Sequence, residues 1–207
     1  MRIFDRIVGR LLISAARLLT GAYANWLGCK PEPRQRLYFA NHASHLDFLL
    51  LWGMLPPALR NKTRPVAGAD YWNASALRRY VIHRVFRGVL VTRGGGAAGS
   101  DLLAPLREAL AAGDSLIFFP EGTRSPDGEI QAFKSGLYHL AHDYPQVEFV
   151  PVLMENLSRV MGKGEFLPVP LICVLSFGTP LALAPEEAKP AFLARARQAL
   201  IDLLPAR

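Results

Sequence analysis

Short apolar runs that end at turn signals alternate with helix-like segments along most of this chain. The runs are Leu37–Ala40, Arg64–Ala67, Val89–Thr92, Ser115–Phe119, Val147–Leu153 and Leu171–Phe177. Each is too short for a helix and rich in the aliphatic and aromatic residues of buried strands. Between them lie helix-like stretches at Leu46–Leu55, Ser75–Phe86, Ser100–Ala112, Lys134–Asp143 and Ala191–Leu203. Strand and helix in alternation predict an α/β fold: a mainly parallel central sheet flanked by helices. A chain of 207 residues suffices for one such core. The stretch from Glu155 to Pro170, with two glycines and two prolines, reads as a long loop.

The first 28 residues have a different pattern. Phe4, Ile7, Val8, Leu11, Leu12, Ala15, Leu18, Leu19, Ala22, Tyr23 and Trp26 recur at helical spacing, with Arg2, Asp5, Arg6, Arg10 and Arg17 mostly on the other side. No charge-free run approaches the roughly 18 residues a spanning helix needs. Arg17 interrupts the apolar stretch that a signal peptide would require. The pattern is that of an amphipathic helix at a membrane surface, with an ordinary helix packed on the domain as its rival. Residues 1–30 are accordingly read as an N-terminal amphipathic docking segment, and residues 31–207 as the α/β domain.

The net charge of +7 suits anionic partners but does not choose among a phosphorylated substrate, a membrane, an acidic carrier protein and nucleic acid. Zinc-ligand spacing and a long Lys/Arg run with aromatics are both missing, which argues against nucleic acid. Cys29 and Cys173 are isolated. They make neither a metal pair nor a disulfide framework, and read as small buried hydrophobes.

In open α/β sheets, ligands bind beyond the carboxyl ends of the strands. The residues just past those ends are therefore the site candidates. After the first strand comes Asn41-His42-Ala43-Ser44-His45-Leu46-Asp47. Ser44-x-x-Asp47 fits a capping box before an apolar helix, in which Asp47 merely satisfies a backbone N–H. The same residues fit a general base and its partner: His42 takes a proton from a hydroxyl, and Asp47 orients the imidazole. The two readings can coexist. His45 has Leu50 five residues on, so no carboxylate partner is supplied locally.

After Phe118-Phe119 comes Pro120-Glu121-Gly122-Thr123-Arg124-Ser125. Gly122 allows a tight path, Arg124 offers a planar fork for phosphate, and Glu121 can accept from substrate hydroxyls. Lys134 and Arg93 add two cations near the same edge, giving a candidate phosphate clamp. Gly94-Gly95-Gly96-Ala97-Ala98-Gly99 matches G-x-G-x-x-G literally. Its acidic partner falls in the wrong place, since Asp114 precedes the next strand and Glu121 sits in a turn shared with Arg124.

Taken together, these residues resemble the glycerophospholipid acyltransferase family, the 1-acylglycerol-3-phosphate acyltransferase-like proteins. The NHxSxxD motif is at 41–47, a strand ending in arginine at 88–93, FPEGTRS complete at 119–125, FKxG at 133–136, and an apolar strand with an internal proline at Val150-Pro151-Val152. The resemblance covers about Leu37 to Leu181. It does not account for the glycine stretch after Arg93.

The resemblance implies an O-acyltransferase. His42 would deprotonate the free hydroxyl of a lysophospholipid, and Asp47 would orient His42. The oxygen would attack the thioester of an acyl-CoA or an acidic acyl-carrier protein, forming phosphatidic acid without an acyl-enzyme. Glu121, Gly122, Thr123 and Arg124 would bind the acceptor, with Arg93 and Lys134 as further phosphate ligands. No metal or redox cofactor is implied. The N-terminal segment would dock the enzyme on the cytoplasmic face of the inner membrane as a monotopic protein, with no cleaved signal peptide. Phe48, Leu49, Leu50, Leu51, Trp52 and Met54 are candidates for an acyl groove or for core. Rival functions are transfer to another lysophospholipid or a lyso-aminolipid, a nucleotide-binding oxidoreductase using residues 94–99, and a catalytically silent lipid binder.

Overall fold

The computed structural model describes residues 3–44, 47–92, 101–125, 128–156 and 172–205. Among these, seven strands form one sheet in the order β1-β7-β6-β2-β5-β3-β4. The strands are β1 (Tyr23–Trp26), β2 (Arg36–Ala40), β3 (Thr63–Gly68), β4 (Val89–Val91), β5 (Ser115–Phe118), β6 (Glu148–Met154) and β7 (Val174–Phe177). Five of them, β6, β2, β5, β3 and β4, run parallel. β7 is antiparallel to β6, and β1 is parallel to β7. The mainly parallel α/β sheet is thus as the alternation predicts, with a reversed margin that the alternation does not reveal.

Strand β2 is central and buried along its whole length. Its alternate side chains enter different cores. Tyr38 and Ala40 join a cluster with Ile13, Leu51, Trp52 and Val85, while Leu37 and Phe39 join one with Leu106, Leu137 and Phe192. The first cluster is covered by α1 (Ile3–Thr20), α2 (Asp47–Met54) and a π-helical turn at Val81–Val85; the second by α6 (Ala104–Ala111), α7 (Gly136–Asp143) and α8 (Lys189–Ile201). Short helices α3 (Pro57–Arg60), α4 (Ala69–Trp72) and α5 (Ala76–Tyr80) fill the connections around β3 and β4. Every residue of α2 is buried. Phe48 to Met54 are therefore core, which corrects the alternative that they line an open acyl groove.

The N-terminal helix stops at Thr20, well short of the Gly28 that the periodicity suggests. Gly21 takes the left-handed conformation at φ +57°, a glycine helix stop. Cys173 N then donates to Thr20 O at 3.0 Å, and Tyr23 N donates to Cys173 O at 3.2 Å. The chain is thereby delivered into the sheet as β1. The Trp26 ring stacks on Phe177 with centroids 3.9 Å apart. Tyr23 and Trp26 belong to the sheet margin, so the N-terminal helix is shorter than residues 1–30.

Helix α1 meets the domain through a narrow stripe of Asp5, Gly9, Ile13, Ala16 and Thr20. Phe4 (65% exposed), Leu11 (64%) and Leu18 (88%) point outward. Burying so few apolar groups of the helix reverses the usual arrangement of an amphipathic helix on a globular core. Among the described residues, no helix is long and apolar enough to cross a membrane.

The margin is tightly closed at Gly28, whose N–H, like that of Leu27, donates to Phe177 O at 3.0 Å. A Cβ at Gly28 would lie 2.1 Å from Thr179 N and 2.4 Å from Gly178 C, both backbone atoms. Gly28→Ala is expected to push β1 off β7 and cost about 1–3 kcal/mol. The check is a lower urea midpoint with an unchanged slope.

Candidate active site

Strand β2 ends at Ala40, flanked by β5 on one side and β6 on the other. The next two residues tie its exit to both neighbours. The Asn41 side chain donates to Met154 O at 3.0 Å and accepts from Met154 N at 2.8 Å, at the end of β6. On the β5 side, His42 O accepts from Ser125 N at 2.8 Å, and His42 N donates to Glu121 Oε1 at 2.9 Å. The NHxSxxD and FPEGTRS segments are therefore clamped together at the carboxyl edge of the sheet.

His42 Nδ1–H donates to Asp47 Oδ2 at 2.7 Å. The same oxygen accepts from Ala43 N at 2.7 Å and Ser44 N at 2.9 Å. Asp47 reaches back to the Ser44 N–H as in a capping box, and the same oxygen holds the imidazole. Asp47 is fully buried, whereas the His42 side chain is 15% exposed. The Phe119 ring stacks on the imidazole with centroids 4.3 Å apart and planes 20° apart. With Nδ1 committed to a carboxylate, Nε2 carries the free lone pair. Asp47 Oδ1 is buried without a hydrogen-bond partner among the described residues. His45 lies outside those residues.

Glu121 has a different place from the one its motif suggests. It is 3% exposed, and its two oxygens accept from His42 N at 2.9 Å and Gln131 N at 3.1 Å. Both are backbone donors, so the carboxylate braces the loop that carries His42. Burial raises its pKa above the ordinary carboxylate value, more than the His42 and Gln131 amides lower it. The sequence offers this carboxylate as an acceptor for substrate hydroxyls, whereas the structure turns both of its oxygens to backbone amides. Gln131, its second donor, carries no motif.

Gly122 is left-handed at φ +72°, which lets the turn fold sharply after Pro120. Lys134 N donates to Pro120 O at 2.9 Å, and this lays the lysine side chain over the turn. A Cβ at Gly122 would stand 2.7 Å from Lys134 Nζ. Thr123, Arg124 and Lys134 are exposed. Neither cation forms an ion pair among the described residues. The structure thus brings Gly122, Thr123, Arg124 and Lys134 to the edge that carries His42. Arg93 and the glycine stretch 94–99 lie outside the described residues, as do 157–170 of the expected long loop.

A partly buried His–Asp pair shares the carboxyl edge with an exposed guanidinium and an exposed ammonium, an arrangement able to move a proton near an anionic group. Residues 30–155 match the family described as Acyltransferase, and the chain belongs to that family. Among its relatives is the 1-acyl-sn-glycerol-3-phosphate acyltransferase of Limnanthes alba, 30% identical over 174 residues, covering 82% of this chain and 57% of that protein. The mouse 1-acyl-sn-glycerol-3-phosphate acyltransferase alpha is 29% identical over 161 residues, covering 75% of this chain and 53% of its own length. The chain spans about half the length of the curated relatives it matches. In fold it is similar to the Thermotoga maritima 1-acyl-sn-glycerophosphate acyltransferase PlsC, with a TM-score of 0.70 at 22% identity, covering 98% of this chain and 82% of that one.

If Glu121 braces the His42 loop, Glu121→Gln should lower kcat by about tenfold or more and leave the acceptor KM nearly unchanged. A lost substrate contact would mainly raise KM. Because its folded pKa is raised, Glu121 contributes stability that is present below the ordinary carboxylate pKa and lost as pH rises through the raised value. Urea denaturation across that window should therefore show wild type losing stability relative to Glu121→Gln as pH rises.

Proposed function

We propose that the chain is a 1-acylglycerol-3-phosphate O-acyltransferase that makes phosphatidic acid in phospholipid synthesis. The observation that carries this reading is the His42–Asp47 pair, 2.7 Å apart, set beside the exposed Arg124 and Lys134. The names of the relatives support the acceptor. In the proposed reaction, His42 Nε2 takes the proton of the acceptor hydroxyl as its oxygen attacks the thioester carbonyl of acyl-CoA or acyl-carrier protein. The C–S bond then breaks, and the thiolate leaves with the proton from the imidazolium. Asp47 stabilises the imidazolium while it exists. Arg124 and Lys134, with Arg93 proposed as a further ligand, hold the acceptor phosphate, since a guanidinium fork and a mobile ammonium suit its oxygens. This chemistry calls for no metal or redox cofactor.

His42→Ala should reduce transfer from oleoyl-CoA to lysophosphatidate by about 10²–10⁴-fold while the fold persists. Arg124→Ala should raise the apparent acceptor KM with a smaller effect on kcat. A panel of lysolipids with larger or amino-bearing heads, assayed with each donor, checks the acceptor and donor. Near-normal turnover by His42→Ala would overturn the mechanism.

The acceptor resides in a bilayer, and the outward face of α1 supports docking there. Ile3, Phe4, Ile7, Leu11 and Leu18 are exposed, and Phe4 lies 6.5 Å from the Tyr80 ring of α5, one turn from exposed Leu77. A contiguous apolar patch of this kind on a basic helix fits an interfacial anchor. Docking from the cytoplasmic side as a monotopic protein is part of the same proposal. Leu11→Asp with Leu18→Asp should release the protein from vesicles in a flotation assay while leaving its circular dichroism unchanged. Continued tight binding would refute the anchor.

A further inference from the structure

A second positively charged site lies at the opposite end of α2. There the flank of α1 meets the end of α2 and helix α3, and a cleft of about 250 Å³ adjoins another of about 120 Å³. Arg6, Trp52, Arg60 and Asn61 border both. Asn61 and Thr63 precede or begin β3, and Arg87 precedes β4, so the cleft is at the amino ends of these strands. His42 and Asp47 are at the carboxyl edge, about 12 Å away along the eight residues of α2.

The charge here is built in, and of the four arginines that border the two clefts only Arg87 has a carboxylate partner among the described residues, Asp114 at 3.5 Å. Arg60 Nε donates to Trp52 O at 3.1 Å, and its Nη2 donates to Gly53 O and Leu55 O, both at 2.8 Å. These bonds cap the carboxyl end of α2 and hold the guanidinium rigidly. Nη1 has no protein acceptor among the described residues. Arg6 and Arg10 border the cleft from α1, and neither forms an ion pair among the described residues. Burial, with the charges of Arg17 and Arg10, pushes the Arg60 pKa down. Trp52 and Phe86 supply apolar wall. A fixed guanidinium with free donors and two further arginines outside any ion pair among the described residues, with no carboxylate among the bordering residues, suit a phosphate group.

The position of the arginines selects the source of that phosphate. Around α1, Arg6, Arg17 and Arg10 share an arc of about 40°, between the buried stripe and the outward apolar face. If that face enters a bilayer, the arginines stand at headgroup depth, opening into the cleft. We propose that this cleft holds the phosphate headgroup of an anionic phospholipid of the host bilayer, separate from the substrate site. The inference rests on the docking of α1. A cleft of this size fits a headgroup and is too small for a helix of an acidic carrier protein.

The test uses the full chain and dihexanoyl phosphatidylglycerol below its micelle concentration, a lipid that is not the acceptor. Calorimetry should show saturable 1:1 binding, weakened about tenfold or more in Arg6→Gln/Arg10→Gln. Binding should be unchanged in His42→Ala and in Lys189→Gln, a charge change on α8. Both arginines are exposed, so the double variant should keep its circular dichroism; Arg60→Gln provides a second variant. Binding lost in His42→Ala instead, or equal affinity for inorganic phosphate, would overturn the proposal. So would arginine-dependent binding of an acidic carrier protein without binding of the lipid. Flotation with neutral phosphatidylcholine vesicles and with vesicles containing phosphatidylglycerol separates the two readings. Failure to bind either vesicle defeats the docking itself. Equal binding to both, unaltered by the arginine changes, leaves docking standing and defeats the headgroup site.

Discussion

One carboxylate oxygen organises the site. Asp47 Oδ2 accepts from His42 Nδ1, Ala43 N and Ser44 N, all within the turn that joins β2 to α2. It closes that turn, begins the helix and sets the imidazole, so none of these can shift alone. Its partner oxygen is buried without a hydrogen-bond partner among the described residues. Burying an acceptor without a donor is unfavourable, and such groups persist where the surroundings hold them in place. Here those surroundings are a wholly buried α2 and the stacked Phe119 ring.

The rest of the architecture serves to hold that turn still. Asn41 ties the β2 exit to β6, and Glu121 and Ser125 tie it to β5, so the histidine is braced from both neighbouring strands. The same turn of FPEGTRS faces two ways. Its Glu121 carboxylate points inward to backbone amides, while Thr123 and Arg124 face solvent. A short motif thus combines a structural brace with exposed groups suited to an anionic ligand, which is why its members act as a unit.

Helix α2 has a polar network at each end. Its first turn carries the His42–Asp47 pair, and its last carbonyls are capped by Arg60 in a basic cleft. Helix α1 lies along it with small residues inward and leucines outward. Apolar outward face, arginine flank and cleft follow one another around that helix.

The alternation of strands and helices, the edge on which ligands gather, and the His42–Asp47 and FPEGTRS motifs are legible in the sequence because they rest on local pattern. Periodicity, turn residues and spacing are properties of neighbours along the chain. Three features are not legible that way. β1 is hidden because Tyr23 and Trp26 continue the helical spacing, and only pairing with β7, some 150 residues on, makes them a strand. The inward turn of Glu121 depends on backbone N–H groups from His42 and Gln131, which no motif encodes. The outward face of α1 depends on which stripe the domain accepts, and the stripe chosen is Asp5, Gly9, Ile13, Ala16 and Thr20. Local pattern along the chain carries the class of fold and the pairing of His42 with Asp47. Tertiary structure alone decided which surface each helix presents and where each carboxylate finds its donors, because those contacts join segments whose distance along the chain carries no signal of their meeting.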